Sequence, residues 1–492
     1  PLTRLEDEPP FGAIFLQLIK SAFLSAKALT TNLIELLYLL ETTMTSVETV
    51  NRAVIAIGIL LVAMIATCFL PFHSSALEMP PLLERLDPQL GGHLRGRGRI
   101  SNPDDDSIFG AVGSGTYVDG SVEFRLKNRL FFKDWGTLDT HYEAIWSGGD
   151  TRRKLGELSD RFPGLVDGGI LNVGPIEDDR RALDLSTTIT DGDSYVLYHR
   201  IDRLYLTVDR EWGSLRVGRQ AITFGNGLIF NPMDLFNPFA PTDIERDYKV
   251  GDDMVLFQRP LGLAGELQVL YVQRRNEDTR KLAWNQSSLA GKLHLAGEGG
   301  FEADLMMAHH YRDMVYGVGS TGFLRDAAWR MDVTYTDLDN DKSRRDGYFS
   351  LVANIDYSWV WWEKNFYGLV EFYFNGLGEK DYPDALENKN LIERLDRGEL
   401  FTVGRDYLSG TIQIEVHPLV NFFFTAITNT RDPSGVLQPR IVWDMTQDTQ
   451  WTLGSTINYG ESGTEFGGFR IPGTAFDLTP VDSGFVWLTI FF

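Results

Sequence analysis

Apolar and polar residues alternate strictly in many segments of the C-terminal four fifths of the chain. Clear examples are residues 122–127, 203–209, 329–336 and 411–416. Period-two alternation gives a strand one apolar and one polar face, whereas an amphipathic helix needs a period near 3.6. After residue 77 no apolar run reaches about 18 residues, so no membrane-spanning helix is predicted there. The pattern predicts an all-β protein.

The alternating segments are long for a soluble β-sandwich, which would show the same pattern. They run to about nine to twelve residues, the length that a tilted strand needs to cross a bilayer. Aromatic residues stand at strand ends, where a membrane interface would hold an aromatic girdle. They lie at 131–132, 146, 212, 359, 361–362 and 422–424. Length and aromatic placement together favour a transmembrane barrel.

We therefore predict a transmembrane antiparallel β-barrel of about 18 strands, with about 16 as the alternative. The predicted strands begin near residues 91, 121, 137, 194, 215, 252, 265, 288, 301, 314, 328, 347, 366, 402, 420, 436, 450 and 484. The first of them is the least regular. In this arrangement the short connections and both chain ends fall on one side of the barrel. The long connections, 147–193, 224–251, 376–401 and 461–483, fall on the other. Short periplasmic turns and long extracellular loops produce this asymmetry.

The last eight residues, FVWLTIFF, alternate as a membrane strand does. Leu488, Ile490 and Phe492 share one face with Val486, and an aromatic residue ends the chain. This resembles the C-terminal signal of outer-membrane barrels, which the barrel-assembly machinery reads. The resemblance implies export to the bacterial outer membrane. The opposite face, with residues 485, 487 and 491, is apolar as well, so we expect this strand to pack against an inserted loop.

Residues 44–76 have the order of a signal peptide. Met44 opens a short n-region, residues 53–70 are apolar, and small residues end at Ala76. We expect cleavage there and a barrel of residues 77–492. Residues 1–43 precede a complete signal and are expected to be a leader or non-native extension, with an amphipathic helix pair as the alternative. An uncleaved anchor and a lipoprotein attached at Cys68 are the other possibilities.

Charge and cysteine content exclude several functions. Lys and Arg number 46 against 68 for Asp and Glu, a formal net charge of -22, which argues against nucleic-acid binding because phosphates need a basic face. A single cysteine excludes a disulfide framework and a metal site built from cysteines. No catalytic motif with the spacing of a known class is present, and we expect no enzyme activity, no metal and no cofactor.

Residues 214–253 form the most informative segment. Glycines and prolines after residue 224 interrupt strand pairing, while phenylalanines at 224, 230, 236 and 239 require burial. A long connection with its own apolar residues is expected to fold into the lumen and narrow it. The RVGRQ, FGNG and NPMDLFNP elements resemble those of substrate-specific and alginate-export-like porins of Gram-negative bacteria. The resemblance implies a porin fold over residues 90–492.

Charged and polar side chains on the inward faces are the candidates for the pore lining and the constriction. They are Arg125, Lys127, Arg129, Arg203, Arg216, Arg219, Asn226, Asp234, Asn237, Asp243, Glu245, Arg246, Arg330 and Glu371. Arginines facing acidic loop residues would set a transverse field that sorts solutes by charge. The alternative is that they pair with wall acids such as Glu123, Asp332 or Glu371 without selectivity. Arg216 and Arg219 cannot both face the lumen unless their strand is bulged.

These observations predict an outer-membrane porin that passes small hydrophilic solutes by diffusion, with steric and charge selection at an infolded loop. Its expected partners are lipid, lipopolysaccharide, the assembly machinery and the solutes. One rival function is a sheath around a periplasmic or multihaem cytochrome, which requires an unobstructed lumen. A second is an outer-membrane hydrolase that uses one of the chain's histidines, and a third is a structural anchor with a plugged lumen.

Overall fold

The structure is a computed structural model of the chain. It describes residues 89–113, 115–132, 135–161, 178–243, 247–262, 264–339 and 346–492. The predictions for the extension 1–43, for the signal peptide 44–76 and for the first residues of the mature chain lie outside these ranges.

Strands dominate the described residues. They are β1 (Gln89–Asn102), β2 (Tyr117–Phe131), β3 (Gly136–Gly149), β4 (Ser186–Asp191), β5 (Tyr195–Arg210), β6 (Gly213–Gln220), β7 (Asp252–Pro260), β8 (Gly265–Val272), β9 (Ser288–Ala296), β10 (Glu302–His310), β11 (Asp313–Leu324), β12 (Ala327–Asp337), β13 (Gly347–Trp361), β14 (Lys364–Asn375), β15 (Asp406–His417), β16 (Val420–Asn429), β17 (Ser434–Asp444), β18 (Thr449–Tyr459), β19 (Phe469–Arg470), β20 (Asp477–Leu478) and β21 (Asp482–Phe491). The α-helices are α1 (Asp150–Arg161), α2 (Tyr382–Glu387) and α3 (Lys389–Asp396).

One antiparallel sheet closes on itself to form the barrel. It contains 19 strands, and because β4 pairs only with β5, 18 strands make up the closed ring. The ring is sealed where β21 pairs with both β18 and β1, with Phe491 opposite His93. The predicted barrel of 18 strands is confirmed. Closure leaves the 18 strands of the ring without a free edge, which a membrane-spanning sheet requires.

The connections differ between the two ends of the barrel. Turns such as 211–212, 325–326 and 362–363 lie at the end where β1 begins and β21 finishes. At the other end lie the long loops, between residues 150–194, 221–251, 376–405 and 460–481. Two connections at this end are nevertheless short, at 311–312 and 430–433. The long loops start mostly where the strand pattern stopped, since glycine, proline and charge break the alternation.

The outer face of the barrel is apolar. Exposed aliphatic side chains occupy alternate positions of the strands, for example Val255, Val269, Leu305, Val318, Val370 and Leu453. Exposed aromatic residues stand near strand ends, for example Tyr357, Trp361, Trp362 and Trp443. A band of this kind, edged by aromatic residues, matches the hydrocarbon core of a bilayer and its two interfaces.

No helix within the described residues is long and apolar enough to cross a membrane.

The inner face carries polar side chains in the same register. On β12, Asp332, Thr334 and Thr336 are buried, while Met331, the residue before Asp332, is exposed. The alternation that predicted the strand thus places polar side chains on the inner face of the barrel and apolar side chains on the outer face.

Three adjacent strands are short, and a neighbouring loop completes the wall above them. β6, β7 and β8 have eight, nine and eight residues. β4 pairs with β5 beyond the end of β6, and Arg181 bridges to Arg274 just after β8. Asp178 then accepts hydrogen bonds from Arg219 at 2.8 Å and 3.0 Å. The loop between β3 and β5 therefore closes a gap that the short strands would leave.

Candidate functional site

The connection between β6 and β7, residues 221–251, is called L3 below; residues 244–246 of it lie outside the described part. Its first half packs on an apolar patch of the barrel interior. Phe224, Met233 and Phe236 of L3 are almost completely buried there. The patch, called the apolar wall, consists of Met254, Leu256, Leu270, Val272, Ala290, Met306, Ala308 and Val315 on strands β7 to β11. Burying phenylalanines this way fixes L3 inside the ring.

L3 then crosses toward β12 through a tight turn at Gly225. The glycine has φ +79°, and a Cβ on it would come within 2.9 Å of Asp332 Oδ2, so a larger residue does not fit. The turn lets Asn226 donate its backbone N–H and its side-chain amide to Asp332, at 2.5 Å and 2.8 Å. The same amide reaches Asp304 on β10 at 3.3 Å.

Glu371 on β14 holds the next three residues of L3. Its carboxylate accepts the backbone N–H groups of Leu228, Ile229 and Phe230, at 2.9, 3.1 and 2.6 Å. Successive backbone donors converging on one anion form a strong, directional attachment. The Phe230 ring adds an aromatic contact, because it stacks on Tyr373 with centroids 4.4 Å apart. Glu371 therefore acts as an anchor of L3.

An ion pair lies within L3 itself. Lys249 Nζ donates to both carboxylate oxygens of Asp234 at 2.7 Å, and both side chains are buried. Burial disfavours the charged carboxylate and raises the pKa of Asp234 to about 6, although Lys249 opposes the rise. Burial likewise lowers the pKa of Lys249. The pair ties the first half of L3 to its return limb, which we define as residues 247–251.

The return limb contacts the opposite side of the interior through polar groups. Asp247 pairs with Arg95 on β1. Tyr248 places its ring over the guanidinium of Arg125 on β2, 3.5 Å from Cζ to the ring centroid, and donates its hydroxyl to Glu123 at 2.5 Å. L3 thus spans the lumen from the apolar wall to β14 and back to β1 and β2.

The surface that the return limb meets is a network of buried ion pairs, called the charged wall. Its basic members are His93, Arg95, Arg97, Arg125, Arg200 and Arg203, and its acidic members are Glu123, Glu143 and Asp202. Arg125 bridges Glu143 and Asp202, with 2.9 Å to Asp202 Oδ2. The pairing of β3 with β5 shifts register beside Asp202. This bulge lets Asp202 and Arg203 both face the lumen.

The structure disperses the predicted pore-lining residues over several environments. Arg125, Arg203 and the neighbouring Lys127 and Arg129 lie along the charged wall, where Arg129 pairs with Asp139 at 2.6 Å. Asn226, Asp234, Asn237 and Asp243 lie on L3. Glu245 and Arg246 fall outside the described residues. Arg330 pairs with Asp356 on β13 rather than with a loop acid.

Arg216 and Arg219 lie on opposite faces of β6. The strand pairs with β5 without a register shift from Gly213 to Arg219, and Val217 is exposed on the apolar side. Arg219 therefore shares the face of Val217 and is buried beneath Asp178 and Asp253. Arg216 shares the lumenal face with Thr207 opposite it.

The alternative, in which the predicted arginines pair with wall acids, describes Arg125, Arg203 and Arg330. Only one of the three acids named as examples pairs with an arginine. Glu123 does pair with Arg97, at 2.9 Å. Asp332 and Glu371 instead hold backbone and amide groups of L3. A carboxylate that binds a loop was not anticipated, because the partner is a backbone N–H that no residue pattern marks.

Several site residues were missed by sequence reasoning. His93, Arg95, Arg97 and Arg99 alternate along β1, so their common face could have been read from the sequence HLRGRGR. The irregular first strand concealed them. Asp247 and Tyr248 carried no such signal, since L3 has no period.

The extracellular side of L3 borders a cavity of about 50 Å³. Phe230, Leu235 and Phe239 form part of its apolar lining, and residues 399–402 of the loop before β15 close it. Hydroxyl groups of Thr334, Thr336, Ser350 and Thr402 face it from the other side.

Within the described residues, no group of three or more His, Cys, Asp or Glu side chains is arranged to hold a metal ion. His309 and His310 point to opposite faces of β10, and His309 stacks on Trp284 with centroids 4.8 Å apart.

Comparison with solved structures finds several barrels of similar architecture. OccAB1 of Acinetobacter baumannii is 10% identical and aligns over 85% of this chain and 99% of its own, with a TM-score of 0.48. OccK1 (OpdK) of Pseudomonas aeruginosa is 9% identical, with 82% and 98% coverage and a TM-score of 0.45. A BenF-like porin from Pseudomonas fluorescens Pf-5 is 10% identical, with 82% and 98% coverage and a TM-score of 0.44. No protein-family profile and no curated protein sequence matches the chain.

Proposed function

We propose that this protein is an outer-membrane porin that passes small hydrophilic solutes by diffusion, with size and charge selection at L3. The observation that carries the proposal is the path of L3, which lies across a lumen lined by charged and hydroxyl-bearing side chains. A polar interior inside an apolar band suits water and dissolved solutes rather than a buried core.

Location and assembly follow from the same barrel. The apolar band with aromatic residues at strand ends fits a bilayer with lipopolysaccharide on the side of the long loops. Leu488 and Ile490 on β21, with Phe492 directly after it, are the residues that the assembly machinery would read. β21 seals the ring by pairing with both β1 and β18, so its recognition would precede closure.

Selection would combine narrowing with electrostatics. The side chains of L3 remove part of the lumen between β14 and β1, which excludes large solutes. The charged wall holds guanidinium groups along β1, β2 and β5 beside the return limb, most of them buried in ion pairs with wall acids. Ordered charge of this kind sorts solutes without any covalent step.

A sheath around a cytochrome fits the structure poorly, because L3 occupies the space that a haem chain would need. An anchor with a plugged lumen remains the alternative that the wide span of L3 favours, and the conductance experiment below separates it from a porin.

A hydrolase is also disfavoured, although a serine, a histidine and a carboxylate do meet. Ser288 Oγ lies 2.9 Å from His310 Nδ1, and His310 Nε2 lies 3.1 Å from Glu399 Oε1. Ser288 is fully buried, and its hydroxyl oxygen also accepts a hydrogen bond from Arg274. Since no substrate reaches that oxygen, the group serves to fasten the loop before β15 to β9 and β10.

Single-channel conductance of refolded residues 77–492 in a planar bilayer tests the proposal. A porin gives stable conductance steps, and deletion of residues 226–248 enlarges them because it removes the constriction. A barrel that shifts mobility on heating, and is therefore folded, but conducts nothing would reject diffusion and favour the anchor. Steps that stay the same size after the deletion would show that L3 does not limit the passage.

A further inference from the structure

The return limb of L3 brings one carboxylate among several cations of the lumen. Asp247 pairs with Arg95 on β1, and its negative charge also acts on Lys127 of β2 and Arg440 of β17. The Asp247 side chain is 56% exposed, whereas that of Arg95 is only 4% exposed. A solvent-accessible anion thus neutralises a guanidinium that is held rigidly in the wall.

The cations around Asp247 have hydrogen-bond donors to spare. Arg95 gives Nε to Thr489 at 3.0 Å and Nη2 to Asp247. Among the described residues, Arg95 Nη1, Arg97 Nε and Arg440 Nε are buried nitrogens without a hydrogen-bond acceptor in the protein. Buried donors are nearly always paired, so the remaining nitrogen of Arg95 has the chemistry to hold a second anion.

The pair of Asp247 and Arg95 differs from the other ion pairs of the charged wall. Arg125 is buried with Glu143 and Asp202, whose side chains have no exposed surface. Because neither partner of these pairs meets water, neither exchanges with a solute. Asp247 is open to solvent, so water screens its charge and its side chain gains freedom on release.

We propose that Asp247 is an exchangeable internal counter-ion, whose place on Arg95 is taken by the anionic group of a passing solute. The charge of Asp247 then sets how tightly that anion is held and how strongly the lumen prefers anions to cations. By competing for Arg95, Asp247 shortens the time for which each anion stays bound. Conduction requires that the anion is bound weakly enough to leave the site again. The inference rests on the proposed diffusion function.

The test replaces Asp247 by asparagine in refolded residues 77–492, which removes the charge and keeps the size. In a potassium chloride gradient, we expect the reversal potential of Asp247→Asn to give an anion-to-cation permeability ratio about threefold to tenfold above wild type, the effect of one partly screened charge. In potassium acetate, the conductance should saturate at an acetate concentration lower by a similar factor. Asp326→Asn is the matched control, since it makes the same change on an exposed turn at the opposite end of the barrel.

A second variant shows whether Arg95 is the exchange site. In an Arg95→Gln background, Asp247→Asn should change the permeability ratio by less than about twofold, because the cation that Asp247 neutralises is gone. Heat-dependent gel mobility verifies folding before each recording, and if Arg95→Gln does not fold, the Asp247 and Asp326 variants decide the matter alone. A conducting wild type with an unchanged ratio in Asp247→Asn overturns the inference and leaves the proposed function standing. A folded but silent wild type overturns both.

Discussion

The two ends of L3 are attached by different physical means. Its first half buries aromatic rings against the apolar wall of β7 to β11, and its return limb lays a carboxylate and a phenol against the charged wall of β1 to β5. Apolar contact is insensitive to salt and direction, whereas ion pairs depend on both. L3 is therefore held by burial at the apolar wall and by polar contacts at the charged wall. Glu371 attaches the part of L3 that lies between the two walls.

The largest effect should come from removing that middle attachment. Glu371→Ala leaves three backbone donors of residues 228–230 without their acceptor, a loss on the order of 3–6 kcal/mol in the docking of L3. We expect larger and noisier conductance steps. Glu371→Gln keeps one acceptor oxygen and should show a smaller change. Steps of wild-type size in the alanine variant would mean that the two walls hold L3 without this anchor.

A substitution in the charged wall should lower the stability of the protein more than one in the apolar wall. Arg125→Ala removes the cation that the fully buried Glu143 and Asp202 share and leaves them only Arg200 and Arg203, at a cost of about 3–5 kcal/mol. The midpoint of urea unfolding, followed by heat-dependent gel mobility, should fall accordingly. The pair of Arg280 and Asp179, in which both side chains are about half exposed, offers the control. Arg280→Ala should shift the midpoint far less. Equal shifts would contradict the assignment of buried pairs.

A substitution at a comparably buried site of the apolar wall should cost less free energy of unfolding. Leu256→Ala removes a fully buried side chain beneath Phe224 and Phe236, which costs about 2–4 kcal/mol as lost burial plus cavity. Its effect should not change with salt, because no charge is involved. Val255→Ala, on the exposed outer face of the same strand, is the control in detergent. A loss of stability in Leu256→Ala that depends on salt would contradict the prediction that this wall holds L3 by apolar contact alone.

The smallest effect expected is a pH dependence of L3. Burial raises the pKa of Asp234 to about 6, above its unfolded value, so the folded state binds an extra proton between those two values. Stability from this group is present at pH 4 and is lost as pH rises through about 6. The free energy of unfolding should therefore fall by about 1–2 kcal/mol between pH 5 and pH 8, which a lower urea midpoint would report. Asp234→Asn should remove this part of the dependence, and a steeper drop in the variant would contradict it.

The barrel was predictable from sequence because each strand carries its own period-two pattern and each wall position follows from the alternation. The infolding of L3 was predictable for a related reason, since phenylalanines 224 and 236 require burial in a segment that cannot pair as a strand. The number of strands followed from counting such segments, and β15 begins only a few residues after the predicted position.

The partners inside the lumen could not be predicted in the same way. Glu371 meets residues 228–230 only because the pairing register of the eight strands β7 to β14 places it opposite L3. A shift of one residue in the register of β14 would turn the carboxylate outward. The bulge beside Asp202 and the outward face of Arg219 depend on backbone details that residue types do not encode.

The carboxylates that hold residues 226–230 of L3 all come later in the chain than L3 itself. Asp304, Asp332 and Glu371 follow their partners in L3 by 78, 106 and 141 to 143 residues. During synthesis and insertion, β1 and β2 are already available to the return limb, but residues 226–230 have no acceptor until β10, β12 and β14 have taken their places. The part of L3 that crosses toward β14 is therefore the last to be fixed, and the lumen reaches its final width only after those later strands have joined the barrel.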